Sequence, residues 1–295
     1  MDLALYGELA VNGALSGLMY SLVAMGIVLI YKSSAVPNLA QGAMTMLSAY
    51  VVLAITSRFG APMWVAIPLA MGTMFFVGMG IERVALRRLA GRPIVMILMM
   101  TLGLDIFIRA TSMAIWGGTT RPMSIGISAE PLFLGPLLLN RASLVGAVVA
   151  IALFVIFELF FRTRMGIVLR AIADDYTASW SVGISVDRGV ALSWAMSSAV
   201  ATTAGVLWGS VQGVDQSLSL LLLKGVTVAV LGGLDSIGGA ILAGVLLGIF
   251  EAVASGYLDP LVGGGSRDLV VAAALILTIL IRPHGLFGRH DIERI

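Results

Sequence analysis

The side chains that could bind a solute within this chain lie at two interruptions of its apolar sequence. The first runs from Lys32 to Ala43 and the second from Gly232 to Ala240. Neutral amide and hydroxyl groups at such breaks can hydrogen-bond a polar solute, and a helix that begins there offers free N–H groups. The competing interpretation is that the glycines only permit close helix packing. The first interpretation predicts a substrate path along Asn38, Gln41, Gly42, Gly232, Gly233, Ser236, Gly238 and Gly239.

Charged residues inside apolar segments are the second set of candidates. Asp105 and Arg109 are four residues apart, so they share a helix face and predict an ion pair within one helix. This pair either stabilises the segment or lies along a solute path or gate. Glu251 falls in a later apolar segment, and Lys224 is expected near the outer surface. These groups are too few for a proton relay across a bilayer, which argues against a proton-driven carrier.

Several kinds of catalytic chemistry are excluded by what the chain lacks. It has no Cys, so disulfides and thiol chemistry are absent. Its two His residues, His284 and His290, both belong to the polar C-terminal stretch and provide almost nothing for a metal site or a Ser–His hydrolase. The phosphate-loop pattern G-x-x-x-x-G-K-[ST] does not occur. We therefore expect a non-catalytic chain that binds no metal and no cofactor of its own.

The elements that must position these residues are membrane helices. Of 295 residues, 59% are hydrophobic and 12% charged, about half the charged fraction of a soluble domain. The mean hydropathy is +1.03. Apolar runs of about 20 residues predict an all-α, polytopic membrane domain over residues 1–295, with eight or nine segments and broken helices. The predicted segments are 9–31, 39–56, 62–81, 94–116, 142–161, 188–211, a broken pair at 224–234 and 237–256, and 267–282.

The positions of the arginines predict the orientation of these segments. They form three clusters: Arg83, Arg87, Arg88 and Arg92; Arg162, Arg164 and Arg170; and Arg282, Arg289 and Arg294. One topology places all three clusters in the cytoplasm, as the positive-inside rule requires. The N-terminus and residues 117–141 and 257–266 then lie outside. The loop 117–141, which contains Pro122, Pro131 and Pro136, is either a plain surface loop or a docking surface for an external partner.

The two interruptions have a similar layout. Aligning Gly42-Ala43 with Gly239-Ala240 gives an offset of 197 residues. Each break opens an apolar helix, and each of these is followed by one more segment that ends in cytoplasmic arginine. The layout predicts a duplicated three-helix unit in parallel orientation, although the slight sequence identity leaves coincidence as an alternative.

The segment 162–187 is predicted to be a cytoplasmic loop with its own helix, which Gly183 would end. Positions three and four apart place Ile167, Ala171, Asp174, Ala178 and Ser181 roughly on one helix face. The segment is too polar to span a bilayer. It is either an amphipathic helix at the membrane surface or a short helix that inserts into a groove of a cytoplasmic partner.

Four stretches, in chain order, resemble the LivH/LivM family of branched-chain amino acid permeases. They are Ile30 to Gly42; Arg170-Ala171-Ile172 with Ala178 and Gly183-Ile184; Val230 to Gly239; and Arg282 to Gly288. The second is similar to the coupling loop of ABC-importer permeases, but it lacks the leading Glu-Ala-Ala of the general motif. The resemblance covers nearly the whole chain. It implies that the segment contacts an ATPase through Arg170, Ala171, Asp174, Asp175, Ala178 and Gly183.

The resemblance also implies a set of partners. They are a second, LivM-like permease subunit, two ATP-binding cassette subunits that hold ATP and Mg²⁺, and an extracytoplasmic solute-binding protein. The chain would lie in the bacterial cytoplasmic (inner) membrane and import branched-chain or other amino acids; relatives in the family carry urea, short amides and aromatic or organic acids. The alternatives of another class are an ion-coupled carrier and a channel, which would work without an ATPase.

Overall fold

The computed structural model of the chain describes residues 3–89, 91–127, 130–134 and 137–288. Pro136, Arg289, His290 and Arg294, used in the predictions above, lie outside these ranges. Within them the chain forms eleven α-helices and one β-hairpin. The helices are α1 Leu3–Ser34, α2 Gln41–Phe59, α3 Met63–Ile81, α4 Ile94–Trp116, α5 Arg141–Arg162, α6 Arg164–Asp174, α7 Tyr176–Ser181, α8 Val186–Gln212, α9 Leu221–Gly232, α10 Ile237–Val262 and α11 Ser266–Ile281; the strands are β1 Leu132–Leu134 and β2 Leu137–Leu139.

Seven of the helices in these ranges are long and apolar enough to cross a bilayer. They are α1, α2, α3 with its extension to Leu89, α4, α5, α8 and α10. The predicted eight or nine segments also include α11, which has 16 residues, and α9, which has 12. Both are apolar but shorter than the about 20 residues of a full span. The predicted all-α, polytopic membrane fold is confirmed.

The α1 helix lies at the centre of the bundle, and its closest neighbour is α10. Gly13 and Gly17 of α1 face Gly244 and Gly248 of α10, where a Cβ on any of the four would collide with atoms of the other helix. Small residues four apart let two helix backbones approach closely in a membrane. Backbone proximity also lets Ser21 Oγ on α1 donate across the interface to the carbonyl of Ala240, at 3.1 Å. The glycine spacing in the sequence therefore has a structural role.

The helices divide into an inner and an outer group. Most of α1 and α8 is buried, whereas less than a third of α3, α4 and α5 is buried. The exposed faces are apolar, with Trp64 and Phe76 on α3 and Ile106 and Phe107 on α4 as examples. Apolar side chains on the outside are what a lipid environment or another membrane subunit requires, because neither offers water to solvate polar groups.

One end of the bundle is rich in arginine. The turn after α3, a single π-helical turn Glu82–Leu86 followed by a 3₁₀ turn, brings Arg87 to within 3.8 Å of Asp187 at the start of α8. Buried Glu82 accepts from the same guanidinium at 3.0 Å. The α6–α7 segment and residues 282–288 lie at this end too, so the first two arginine clusters and Arg282 of the third come together there, in agreement with the prediction. We call it the Arg-rich end.

The opposite end is closed by loops that bond to one another. Thr120 Oγ1 donates to Asp215 at 2.6 Å, and residues 121 and 214 form an antiparallel bridge. Partial burial acts to raise the pKa of Asp215, but hydrogen bonds from Ser217 and Thr120 outweigh it and hold the pKa below its ordinary value. The β1–β2 hairpin lies within the loop 117–141 and is anchored to α1, where Asn12 Nδ2 donates to the carbonyl of Leu138 at 2.8 Å.

The predicted repeat has a counterpart in the order of the helices. The first unit consists of α1, a break at 35–40, α2 and α3. The second consists of α9, a break at 233–236, α10 and α11. The units differ in length, since α1 has 32 residues and α9 has 12. The shared order agrees with the predicted layout, and the duplication itself stays a prediction.

Candidate functional site

The polar side chains of the first break are buried in the protein. Asn38 Oδ1 accepts from the backbone N–H of Ala40 at 2.9 Å, which shapes the turn into α2. Asn38 Nδ2 donates to Gln41 Oε1 at 3.2 Å. Ala35 has a left-handed backbone, with φ of 53°, which ends α1 sharply. The break is therefore an ordered turn whose amides bond to each other.

Gln41 is also held by α8, through a residue that the sequence did not single out. Ser197 Oγ lies 2.8 Å from Gln41 Oε1 and 2.8 Å from the carbonyl of Gly26 on α1. Gly26 must lack a side chain, because a Cβ there would collide with the Gln41 amide. Ser197 thus joins α1, α2 and α8 at one point.

Ser197 belongs to a buried seam of small hydroxyl side chains between α2 and α8. Ser48 Oγ on α2 is within hydrogen-bonding distance of the carbonyl of Ala201 on α8, at 3.0 Å. Buried hydroxyl side chains on the two helices are Thr45, Ser48, Ser193, Ser197, Ser198 and Thr202. Of these, Ser48 and Ser197 bond between α2 and α8 and define the hydroxyl seam, whereas Ser198 lies against Gly78 of α3. Its signal in the sequence is the run of Ser and Thr at helical spacing along the 188–211 segment, next to the break that holds Gln41.

Gly42, predicted in the same path, has a packing role in this conformation. A Cβ on Gly42 would collide with the carbonyl of Ser219 and the side chain of Leu222. The first turn of α2 therefore lies directly against the start of α9. Whether Gly42 also contacts a solute stays a prediction.

The second break is built from close backbone contacts. Gly232 and Gly239 face each other so closely that a Cβ on either would collide with the other's backbone. Gly233 has φ of 101°, a conformation that only glycine adopts at little cost. Ser236 Oγ caps α10 by accepting from the N–H of Gly239 at 3.0 Å. The glycines allow α9 to stop and α10 to start within four residues.

A C-terminal turn closes this second break. The N–H of Leu286 donates to the carbonyl of Leu231 at 2.8 Å, and the N–H of Phe287 donates to that of Gly232 at 3.2 Å. The last carbonyls of α9 would otherwise lack partners, as at any helix end. The second glycine-rich stretch and the C-terminal stretch, separate in the sequence, thus form one structural unit.

The two breaks are joined by Lys32. Its Nζ donates to the backbone carbonyl of Asp235 at 2.9 Å, and it lies 4.8 Å from the centre of the Phe161 ring. The hydrogen bond connects the end of α1 with the turn between α9 and α10. The Phe161 ring adds a cation–π attraction to the same ammonium group. The two predicted breaks are neighbours in space, at the Arg-rich end.

Three cavities open around the joined breaks. The first, which we call the α6 cavity, has a volume of about 330 Å³ and is lined by Tyr31, Lys32, Ala35, Arg170, Ala173, Asp174, Val230, Leu234, Asp235, Pro283, His284 and Gly288. The second, of about 290 Å³, lies beside Pro37 and Thr101. The third is a groove of about 580 Å³ that includes Ser236 and Gly238. Asn38 and Gln41 line none of these three.

The predicted coupling helix consists of two helices. α6 ends at Asp174, and Asp175 has an extended backbone that starts α7. Asp175 Oδ1 accepts from the N–H of Ala178 at 2.8 Å and so caps α7. The expectation of one helix up to Gly183 is wrong because this cap breaks it. Gly183 does end the segment, with φ of 84°.

The predicted ATPase-contact residues fall into two groups. Asp174, Asp175, Ala178 and Gly183 are exposed, whereas Arg170 and Ala171 are half-buried. Arg170 and Asp174 also line the α6 cavity.

The surface of α7 carries exposed apolar side chains that were not assigned a role. Trp180 is 71% exposed, and Val182 and Tyr176 are exposed beside it. Partial burial, together with the carboxylates of Asp187 and Glu82, raises the pKa of the Tyr176 phenol above its ordinary value. Exposed aromatic and aliphatic groups clustered on a short helix are typical of a protein interface.

The predicted ion pair on α4 is present. Arg109 Nη2 lies 2.5 Å from Asp105 Oδ2. Asp105 faces the protein together with Thr101, Ile108 and Ser112, which form one stripe of the helix. The structure thus agrees with an ion pair within the helix, and its role along a path stays a prediction.

A second buried ion pair joins α9 to α10, in a place that the sequence did not reveal. Lys224 Nζ lies 2.6 Å from Glu251 Oε1 and 2.9 Å from the hydroxyl of Tyr20 on α1. The side chains of Lys224 and Glu251 are only 18% and 4% exposed. The ring of Tyr20 stacks on Trp208 of α8 at 4.9 Å. Lys224 is thus enclosed by the bundle in the first turn of α9, and its expected position near the outer surface stays a prediction.

The chemistry of these sites is that of binding. The breaks offer amides, hydroxyls and backbone groups, which exchange hydrogen bonds with a polar solute without forming covalent bonds. Residues 3–89, 91–127, 130–134 and 137–288 contain no cluster of three or more His, Asp or Glu that could hold a metal ion. Whether a solute passes along these residues stays a prediction.

Comparison with known proteins gives a match along almost the whole chain. The model of the family described as "Branched-chain amino acid transport system / permease component" matches residues 9–281. The permease protein BraD of a high-affinity branched-chain amino acid transport system in Pseudomonas aeruginosa is 30% identical, with 98% of each chain covered. The corresponding LivH protein of Escherichia coli is 31% identical, with 96% of each covered.

Two further likenesses are more distant. The nucleoside ABC transporter permease protein NupB of Lactococcus lactis is 30% identical over 170 residues, which cover 55% of this chain and 46% of NupB. The solved structure of PsaBC from Streptococcus pneumoniae in complex with Fab is 14% identical with a TM-score of 0.49, covering 92% of this chain and 91% of that one. The relatives that match this chain along its length are permease proteins of branched-chain amino acid transport.

Proposed function

The chain belongs to the branched-chain amino acid transport permease family, and from this membership we propose that it is the membrane-spanning subunit of an ATP-driven importer of branched-chain amino acids. The single observation that carries the ATP-driven part is the exposed apolar surface of α7, formed by Tyr176, Trp180 and Val182 at the Arg-rich end. The near full-length matches to BraD and LivH support the choice of solute.

The Arg-rich end is placed in the cytoplasm by the positive-inside rule. The β1–β2 hairpin and the N-terminus then face outward from the bacterial inner membrane. The domain is a single permease unit over residues 1–295, with 162–187 as its cytoplasmic coupling loop and 117–141 as its outer loop. A solute would reach it from an extracytoplasmic binding protein and leave at the end that carries α6 and α7.

The remaining subunits would supply what this chain lacks. One of two ATP-binding subunits, which hold ATP and Mg²⁺, would dock on α7, and a second permease subunit would cover part of the exposed apolar faces. α6 packs against α1, α5 and α8. Movement of α6 and α7 on ATP binding would therefore reach both breaks, through α1 and through the contact between Lys32 and Asp235.

The buried amides of the first break fit a closed path. Asn38 and Gln41 make their hydrogen bonds within the protein in this conformation. A neutral hydrogen bond contributes only about 1 kcal/mol net, so exchanging Ser197 for a polar group of the solute at Gln41 costs little. We expect the path to open by separating α8 from α2 along the hydroxyl seam.

Trp180→Ala tests the assignment of α7. We expect it to reduce co-purification of the ATP-binding subunits by about 30-fold, since a buried interface tryptophan contributes about 2 kcal/mol or more. ATP-driven uptake of L-leucine into vesicles should fall with it. The matched control is Trp64→Ala on α3, a tryptophan that is 77% exposed outside the coupling segment. Both replacements remove an exposed ring, so neither should reduce the amount of folded chain.

Other outcomes lead to other assignments. Unchanged co-purification with Trp180→Ala would place the ATPase contact away from α7. Uptake without ATP by the chain alone would favour an ion-coupled carrier or a channel. ATP-driven uptake of urea, an amide or an aromatic acid, with none of L-leucine, would keep the importer and change the solute.

A further inference from the structure

The α6 cavity combines charged groups of both signs with an apolar wall. Its cationic residues are Lys32 and Arg170, and its anionic residues are Asp174 and Asp235. The apolar wall is formed by Tyr31, Ala35, Ala173, Val230, Leu234 and Pro283. A ligand of one net charge would meet repulsion from half of the charged residues, whereas a zwitterion with an apolar side chain matches both sets and the wall.

Two of the charged residues, Arg170 and Asp174, have no side-chain partner among the residues that the structure describes. Arg170 and Asp174 are one turn apart on α6, yet they form no ion pair with each other. Neither makes a side-chain hydrogen bond to any residue in the ranges that the structure describes. A guanidinium presents a planar fork of donors to a carboxylate, and a carboxylate accepts from an ammonium group. The two groups are therefore placed to receive the two ends of one small molecule.

The size of the cavity also suits such a molecule. Its volume is about 330 Å³, at the lower end of the roughly 300–1,000 Å³ that ligand pockets span. A free amino acid is smaller than a typical drug-sized ligand, so the lower end of that range is the appropriate one. The phosphate chain of a nucleotide would bring several negative charges next to Asp174 and Asp235.

We propose that the α6 cavity is a binding site for a zwitterionic amino acid with an aliphatic side chain, taken from the Arg-rich side. Arg170 binds the carboxylate, Asp174 binds the ammonium group, and Val230 and Leu234 contact the side chain. The choice of amino acid rests on the proposed function. The bound molecule would touch α1, α6, the second break and the C-terminal turn together. Because import requires α6 to move, imported amino acid bound here would slow further import.

The test measures binding of radiolabelled L-leucine to the assembled permease complex in lipid nanodiscs, without binding protein and without ATP. We expect saturable binding that weakens about 10-fold or more in Arg170→Gln and in Asp174→Asn, because each removes a charged hydrogen bond. Arg164→Gln, on an exposed arginine of the same helix that lies outside the cavity, is the matched control. Leucinamide, which lacks the carboxylate, and 4-methylpentanoate, which lacks the ammonium group, should compete poorly.

Equal leucine binding by all variants, or no binding by the wild type, would overturn the site. Competition by either analogue as strong as that of L-leucine would overturn recognition of a zwitterion. ATP-driven uptake of L-leucine with the binding protein present is measured in parallel. If the complex imports L-leucine but the Arg170 and Asp174 variants bind it as well as the wild type does, only the proposed site is wrong. Site-dependent binding without uptake means that the site stands and the proposed transport function fails.

Discussion

Lys224 and Glu251 place opposite charges among helices that are otherwise apolar. A charge within a membrane segment is costly unless it is paired or hydrogen-bonded. Here the ammonium bonds both the carboxylate and the Tyr20 hydroxyl, and the Glu251 side chain is almost fully buried. The pair connects α1, α9 and α10, and α9 is too short to cross a bilayer by itself. We infer that the pair fixes α9 against the two long helices.

Replacing one member of this pair should destabilise the protein strongly. Lys224→Met leaves the Glu251 carboxylate without its countercharge, and the loss of one partner in a buried pair costs about 3–5 kcal/mol. Thermal unfolding of the detergent-solubilised chain, followed by fluorescence, should show a clear drop in Tm. The double variant Lys224→Met with Glu251→Gln removes both charges and should recover most of it.

Equal Tm values for the single and double variants would contradict this account. Such a result would mean that Glu251 is protonated or solvated once Lys224 is removed. The spacing of 27 residues between the pair gives no sequence signal, because it joins two helices and not two turns of one helix. The pair of Asp105 and Arg109 could be predicted, because residues four apart lie on the same face of one helix.

Asp175 determines how the α6 and α7 helices are joined. An extended residue between two helices changes the direction of the chain, so α6 packs inward while α7 presents Trp180 outward. The serine at position 179 ties the two parts together, since its Oγ donates to the carbonyl of Ala171 at 2.9 Å. The sequence contained this signal, because Asp is a preferred residue just before a helix.

Asp175→Ala should loosen α7 without unfolding the bundle. Loss of an N-cap costs about 1 kcal/mol, which corresponds to about 5-fold faster exchange of amide hydrogens that open with the helix. Hydrogen exchange read by mass spectrometry on peptides covering 176–181 measures this directly. The control is Thr177→Ala, an exposed change inside α7 that removes no cap. Identical exchange in both variants would show that the packing of Ser179, and not the cap, maintains α7.

The two ends of the whole molecule present different surfaces. The Arg-rich end has the α6 cavity and the aromatic surface of α7, and the opposite end has the β1–β2 hairpin held against α1 by Asn12. Phe133 in this hairpin is 74% exposed. An anchored hairpin that displays an aromatic residue is suited to contact with a protein, and it lies in the loop 117–141, for which the sequence left a docking role open.

Phe133→Ser should weaken docking of the solute-binding protein. We expect the concentration of binding protein that gives half-maximal uptake to rise about 10-fold, since an aromatic residue at an interface contributes about 1–2 kcal/mol. The maximal uptake rate should not change, because the hairpin lies far from the breaks. Leu261→Ser is the control, since Leu261 is 72% exposed at the same end of the bundle but outside the hairpin. A similar rise in both variants would argue against a specific contact.

The sequence by itself determined the features that depend on local composition. Apolar runs, helix breaks, arginine clusters and the glycine spacing of α1 and α10 are visible without a structure, because the bilayer acts on each segment separately. Only the tertiary structure decided which polar groups meet. Ser197 and Gln41 are 156 residues apart and Lys32 and Asp235 are 203 apart. Such contacts depend on how the helices pack around α1, which no local pattern specifies.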